Sequence, residues 1–144
     1  MARLPPPPPN AFFIPVRVYY EDTDAGGVVY YANYLKYFER CRTEWLRAIG
    51  HEQADLLRDP GIAFMVRSVN LEYRKPAHLD DLLTVSLEVE KISRVQIFFR
   101  QHIRCADTGN ERVSGTIQIV CVNSTLLKST PIPEFLRSRL ENLQ

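Results

Sequence analysis

The pattern of apolar and polar residues predicts that the chain begins with a strand and continues into a long helix. Ile14, Val16, Val18 and Tyr20 alternate along the chain, which is typical of a strand that ends near Glu21. Two adjacent glycines at 26 and 27 then interrupt the pattern, and helical periodicity begins after them.

The helical segment has an unusually wide apolar face. At 100° per residue its apolar side chains cover about half of the circumference, more than the usual stripe. This face consists of Tyr34, Leu35, Tyr37, Phe38, Cys41, Trp45, Leu46 and Ile49. Gly50 is placed to end the helix. A face this wide predicts that a curved sheet surrounds the helix.

Four more strands are predicted after a short helical piece at 52–59 and a turn at Pro60-Gly61. They cover residues 62–74, 82–90, 95–104 and 112–122. The connections between the last three are short, which favours antiparallel neighbours. A final helix is predicted to begin at or after Pro133. We find no internal repeat and no domain linker.

Composition restricts the classes of function. A chain of 144 residues fits one domain, and a formal charge of +1 gives no reason to expect nucleic acid as a partner. Three widely spaced cysteines, Cys41, Cys105 and Cys121, are predicted to be reduced core residues of a cytoplasmic protein. No apolar run is long enough to span a bilayer. Five consecutive prolines predict that residues 1–13 form a flexible tail and that 14–144 form the single domain.

The segment EDTDAGG, which precedes the long helix, holds the densest candidate chemistry. A calcium loop starting at Asp22 would place Gly26 at its fifth position and Asn33 at its twelfth, where a bidentate Glu is needed, so calcium is not expected. A cap or turn formed by Asp22 or Asp24 is one interpretation. The other is that the acid acts on a substrate carbonyl, which glycines allow to approach closely while N–H groups at the helix start stabilise an oxyanion.

Metal and serine-triad chemistry find no support in the sequence. His51, His78 and His102 have no paired spacing, so no metal site is predicted. The chain also lacks G-x-S-x-G and the glycine-rich phosphate loops.

Three segments of the chain resemble a known family. The segments VRVYYEDTDAGGVVYYANYLKYFERCRTEWLR, LEYRKPAHLDDLLTV and PIPEFLRSRL resemble the Tol–Pal-associated acyl-CoA thioesterases, within the 4-hydroxybenzoyl-CoA thioesterase group. The resemblance implies an α+β hotdog fold, in which an antiparallel five-stranded sheet wraps around a long central helix. It also implies hydrolysis of an acyl-CoA thioester, with coenzyme A as part of the substrate and no separate cofactor.

The resemblance assigns roles to individual residues. The second acid of DTD, Asp24, corresponds to the catalytic base or nucleophile, and the backbone N–H groups near Tyr30 and Tyr31 to the oxyanion hole. Many Tol–Pal-associated relatives have His where this chain has Tyr31, which leaves the acyl preference open. Substrate contacts are expected from Gly26, Gly27, Tyr30, Asn33 and Tyr34, and contacts to the coenzyme A moiety from Lys91, Ser93 and Arg94.

Partners and alternatives follow from the same resemblance. A homodimer or homotetramer is expected, with active sites at the dimer interface, and so is a weak association with cell-envelope or lipid-synthesis proteins. Two other functions stay open: a hotdog dehydratase or hydratase, and a non-catalytic acyl-CoA-binding scaffold. The absence of His before Ile49 counts against the first, because those enzymes use a His with an acid near the helix.

Overall fold

The computed structural model describes residues 11–141, which form five strands and three helices. The strands are β1 (Ala11–Arg17), β2 (Ile62–Tyr73), β3 (Leu82–Ile92), β4 (Gln96–Cys105) and β5 (Glu111–Asn123). The helices are α1 (Asn33–Ala48), α2 (Gln53–Arg58) and α3 (Glu134–Glu141). A short 3-10 turn, Tyr20–Asp22, lies between β1 and α1.

All five strands belong to one antiparallel sheet with the order β1-β3-β4-β5-β2. Helix α1 packs against the inner face, where Trp45 meets Phe99 of β4 edge to face at 5.2 Å. The buried side chains of sheet and helices form one continuous core. The predicted α+β hotdog arrangement, a five-stranded sheet around a long helix, is thus confirmed.

The beginning of the domain differs from the prediction. Strand β1 starts at Ala11, opposite Glu88 of β3, so residues 11–13 belong to the sheet and not to a tail. It ends at Arg17 and not near Glu21, because Asp22 donates its N–H to the carbonyl of Tyr19 and closes a turn. Residues 1–10, which include the prolines, lie outside the described residues.

The wide face of α1 is buried as predicted, with one exception. Leu35 remains 40% exposed, whereas Ile49 at the end of the face is partly buried. On the next turns Arg42 reaches into the core and donates from Nη1 to Oε1 of the fully buried Gln101 at 2.9 Å. Gln101 in turn donates to the carbonyl of Phe38 at 3.2 Å, so its buried amide is satisfied.

The three cysteines are free, but only two are core residues. Cys41 and Cys121 are buried, and burial raises the pKa of Cys41 to about 12 and that of Cys121 to about 11. Cys105 lies at the end of β4 and is partly exposed, so its assignment to the core was wrong. Backbone N–H groups of the adjoining turn, that of Thr108 first, lower the pKa of this thiol.

Strands β2 and β5 leave no room for a side chain at Gly115. A Cβ at this position would lie 2.3 Å from Cδ2 of Leu71 and 2.7 Å from the carbonyl oxygen of Asn70. The Asn70 oxygen belongs to the backbone and cannot move without disturbing the ladder. We therefore expect Gly115→Ala to lower the free energy of unfolding by about 1–3 kcal/mol, as overpacking typically does. Urea unfolding followed by circular dichroism measures the change.

The matched control is Thr116→Ala, at the next residue of the same strand, whose side chain is partly exposed. This control should stay within about 0.5 kcal/mol of the wild type. Equal unfolding midpoints for Gly115→Ala and the wild type would contradict the close approach.

Candidate functional site

The acidic segment forms a small antiparallel ladder just before α1. Asp24 donates its N–H to the carbonyl of Val28 at 2.9 Å, and Tyr30 donates its N–H to the carbonyl of Asp22 at 3.0 Å. We call residues 22–33 the acidic loop. It is joined to the segment before β3, because Val29 donates its N–H to the carbonyl of Ala77 at 2.8 Å. The loop is therefore fixed at several points.

Asp24 is exposed at the turn of this loop. Its Oδ1 accepts the N–H of Gly26 at 2.8 Å, whereas Oδ2 has no hydrogen-bond partner within residues 11–141. One carboxylate oxygen is thus held, and the other is open to solvent or to a substrate. This arrangement combines the two interpretations of the sequence, since Asp24 closes a turn and still presents a free oxygen.

Gly26 and Gly27 suit the turn for different reasons. Gly27 has φ of +78°, in the left-handed region that favours glycine, and its N–H bonds to the carbonyl of Asp24 at 3.0 Å. Gly26 has no such φ, but a Cβ there would lie 3.2 Å from Oδ1 of Asp24. The turn thus requires small residues whether or not a substrate is bound. Their contact with substrate stays a prediction.

The N–H groups at the start of α1 are not equivalent. The N–H of Tyr30 is already bonded to Asp22, so it is not free to bind an oxyanion. The N–H of Tyr31 has no acceptor among the described residues 11–141. Of the two predicted donors, only Tyr31 therefore remains available.

Asn33, the first residue of α1, is buried and does not contact Asp24. Its Nδ2 donates to Oδ1 of Asp22 at 2.7 Å, and Oδ2 of Asp22 accepts the N–H of Tyr19 at 2.8 Å. Both Asp22 and Asn33 are only 7% exposed. Burial disfavours the charged form of Asp22, but the groups of Tyr19, Tyr37 and Asn33 outweigh it, so its pKa is lowered.

Tyr37 completes the polar cluster under the loop. Its hydroxyl is buried and has no partner of full hydrogen-bonding geometry within residues 11–141, although it lies near the Asp22 carboxylate. Burial first, and then the nearby Asp22, raise the pKa of Tyr37. The hydroxyl therefore stays protonated beside the carboxylate.

Four tyrosines lie between the acidic loop and the end of β2. Tyr31 is 63% exposed and packs beside Tyr30 at 4.8 Å and Tyr73 at 6.5 Å between ring centroids. The Tyr73 hydroxyl donates to the carbonyl of Tyr31 at 3.2 Å. The fourth, Tyr34, is buried, and its hydroxyl accepts the N–H of Ala77 at 3.1 Å. Tyr73 was missed in the sequence, where an aromatic residue at a strand end was the only signal.

The predicted coenzyme A residues lie far from Asp24 in the same chain. Residues 91–94 lie at the end of β3 opposite Leu82, where the chain turns towards β4. The acidic loop lies near the Leu82 end, since Val29 bonds to Ala77. The length of β3 separates the two by roughly 30 Å. Ser93 is instead bonded to α3 through its carbonyl, which accepts from Arg137 at 2.6 Å. One chain alone does not bring these residues together.

Within residues 11–141, the side-chain partners of the three histidines do not include Asp24. His102 pairs with Glu111 on β5, and the His51 ring packs on Phe135. His78 lies beside Val28 in the backbone, but its imidazole is directed towards Asp81 at 3.9 Å. The described residues contain no cluster of three or more metal-ligating side chains and no helix long and apolar enough to cross a membrane.

Comparison with known proteins places this geometry in a family. The family model of the Thioesterase superfamily matches residues 26–111. The acyl-CoA thioesterase YbgC of Haemophilus influenzae is 40% identical over 135 residues, 94% of this chain and 98% of that protein. The acyl-CoA thioester hydrolase YbgC of Escherichia coli O157:H7 is 42% identical over 83% of this chain and 88% of its own length.

Solved structures agree on the fold. A probable thioesterase from Bartonella henselae is 32% identical, with a TM-score of 0.81 over 85% of this chain and 99% of its own. The 1,4-dihydroxy-2-naphthoyl-CoA thioesterase Slr0204 from Synechocystis is 22% identical, with a TM-score of 0.85 over 92% of this chain and 97% of its own, which shows the fold alone. Since the family model covers more than half of the chain and relatives near 40% identity cover most of it, the chain belongs to the Thioesterase superfamily.

Proposed function

We propose that this protein hydrolyses the thioester of an acyl-CoA to the free acid and coenzyme A, with Asp24 as the reacting acid. The observation that carries the proposal is the pairing of two free groups on one loop. Oδ2 of Asp24 and the N–H of Tyr31 are both without partners in residues 11–141. The names of the YbgC relatives, which are acyl-CoA thioesterases, support the same reaction.

The two groups have complementary tasks in thioester hydrolysis. As a general base, Asp24 takes a proton from water, whose oxygen attacks the thioester carbonyl. The carbonyl oxygen becomes an oxyanion that the N–H of Tyr31 stabilises, and one such donor is typically worth about a hundred- to a thousand-fold in rate. The intermediate then expels the coenzyme A thiolate, which takes up the proton.

Asp24 can alternatively attack the carbonyl itself. Its carboxylate would then form a mixed anhydride with the acyl group as the thiolate leaves, and water would hydrolyse the anhydride. A single turnover in water labelled with heavy oxygen distinguishes the routes. Label that first appears in the Asp24 carboxylate would exclude the pure general-base route.

The site is proposed to be completed by a second copy of the chain. Strand β2 is an edge strand that leaves Met65, Val66 and Val69 substantially exposed. The turn at 91–94, with its two cations Lys91 and Arg94, reaches an acidic loop only if it comes from another subunit. Sedimentation velocity at assay concentration is expected to give a dimer or tetramer, and a monomer with full activity would contradict this.

Asp24→Asn is the direct test of the reaction. The amide keeps the shape and still accepts the N–H of Gly26, but it is a poor base and nucleophile. We expect kcat to fall about a hundred- to ten-thousand-fold while the circular dichroism spectrum is unchanged. The measurement is thiol release from short, long and aromatic acyl-CoAs.

Glu21→Gln is the matched control, because it removes the same charge from an exposed acid three residues earlier. It should retain wild-type turnover. Full activity of Asp24→Asn would reject the proposed site. Binding of acyl-CoA by the wild type without turnover of any of them would favour the non-catalytic scaffold.

A further inference from the structure

The buried carboxylate of Asp22 has no task in the chemistry proposed for Asp24. It lies two residues away, yet its environment is the opposite: Asp22 is 7% exposed and both of its oxygens are bonded. Burying an ionised carboxylate is costly unless hydrogen bonds replace its water. A cap needs only one such bond, whereas Asp22 makes side-chain bonds on both sides of the loop.

Asp22 bonds three separate parts of the chain. Oδ2 binds the N–H of Tyr19, before the loop, and Oδ1 binds the amide of Asn33, the first residue of α1. Its carbonyl accepts the N–H of Tyr30 on the returning arm of the loop. These bonds at 2.7–3.0 Å link the entry, the return and the end of the acidic loop.

The two reacting groups belong to residues that lie one or two positions from these anchored points. Asp24 follows Asp22 by two residues, and its N–H forms the next rung of the ladder with Val28. Tyr31 follows Tyr30 directly, and its carbonyl is held from the other side by the Tyr73 hydroxyl. The bonds of Asp22 thus hold the points of the backbone from which Asp24 and Tyr31 extend.

We infer that Asp22 is a positioning residue, which through Asn33 holds the Asp24 carboxylate and the Tyr31 N–H at the separation that thioester hydrolysis requires. This inference rests on the proposed function. It assigns to Asp22 an effect on the rate of the chemical step and not only on stability. Small misplacements of reacting groups can cost about a hundred-fold in rate.

The hydrogen bond between Asp22 and Asn33 can be tested by exchanging the two side chains. In Asp22→Asn, the new amide has one oxygen for two donors, so either one bond is lost or the Asn33 amide must turn over, and the charge that strengthened both bonds is removed. In Asn33→Asp, two carboxylates face each other and repel. In the double variant Asp22→Asn/Asn33→Asp, the amide at 22 accepts from Tyr19 and donates to the carboxylate at 33, so both bonds return.

We expect each single exchange to lower kcat about ten- to a hundred-fold with KM changed less than about threefold, and the double exchange to recover most of kcat. Turnover is measured per folded protein, with unfolding midpoints determined in parallel. Asn33→Ala, which leaves the bond to Tyr19 intact, is a second variant should Asp22→Asn fold poorly. Glu21→Gln again serves as the control for loss of a neighbouring negative charge.

The outcomes separate this inference from the proposed function. Loss of turnover in Asp24→Asn, with wild-type kcat in Asp22→Asn and Asn33→Ala, would overturn the positioning role and leave the proposed function standing. Single exchanges that lower only the unfolding midpoint, with kcat per folded molecule unchanged, would reduce Asp22 to a structural residue. Full activity in Asp24→Asn would contradict both the proposed function and the positioning role of Asp22.

Asp22 also predicts a specific loss of stability in acid. Its pKa in the folded protein is lowered from the ordinary 3.8, so the stabilisation is present above pH 3.8 and is lost as pH falls through the lowered pKa. The charged and titratable groups around it are Arg17, Glu21, Tyr37, Arg40 and Glu44. Because these groups are common to both proteins, the difference between wild type and Asp22→Asn isolates Asp22.

Urea unfolding between pH 7 and pH 3 measures this difference. The wild type should be more stable than Asp22→Asn at pH 7, and the gap should narrow below pH 4. A gap that is constant over the whole range would mean that the pKa of Asp22 is the same in the folded and the unfolded protein, contrary to its bonding pattern.

Discussion

One packing constraint determines the arrangement of this protein: the inner face of a single-layer sheet must be covered by a helix. The inner side chains of the sheet have no second sheet to pack on, so α1 buries Tyr37 and Phe38 completely against them. Since such cores are close-packed, the helix cannot slide along its axis. Its first turn therefore emerges at a fixed end of the sheet, where Val18 of the chain after β1 bonds to Asp81 before β3. The acidic loop is held at that place because it leads into this helix.

The same packing places polar groups of the acidic loop next to the core. The two aspartates of DTD have opposite environments there. Asp22 faces inward and has its charge matched by donors from Tyr19 and Asn33. Asp24 faces outward, keeps one oxygen bonded to its own turn and leaves the other free. In a fully extended backbone, residues two apart point to the same side, so the opposite directions of Asp22 and Asp24 require a departure from extended conformation. Asp22 is the last residue of the 3-10 turn at Tyr20–Asp22, whereas Asp24 already belongs to the small ladder with Val28.

Much of the fold could be predicted from the sequence because it depends on periodicity. The wide apolar face of α1 and the short strand connections indicated a curved antiparallel sheet, and both are observed. The limits of β1 could not be predicted, since they depend on the partners Glu88 and Asp81, which are distant in the sequence. In the site, the importance of the DTD segment was evident from composition. Two features of the site could not be predicted: the N–H of Tyr30 is occupied, and the amide of Asn33 bonds to Asp22. Both depend on the register of the small ladder in the acidic loop, which periodicity does not encode.

The partners of the acidic loop are remote in the sequence. Val29 and Tyr34 bond to Ala77, and Tyr31 bonds to Tyr73, each about forty or more residues away. Contacts of this kind form late in folding, because the intervening chain must first be closed into a large loop. The loop that bears Asp24 thus acquires its shape only when β2, β3 and α1 are already assembled. Enzymatic activity during refolding should consequently return after the secondary structure of the individual strands and helices.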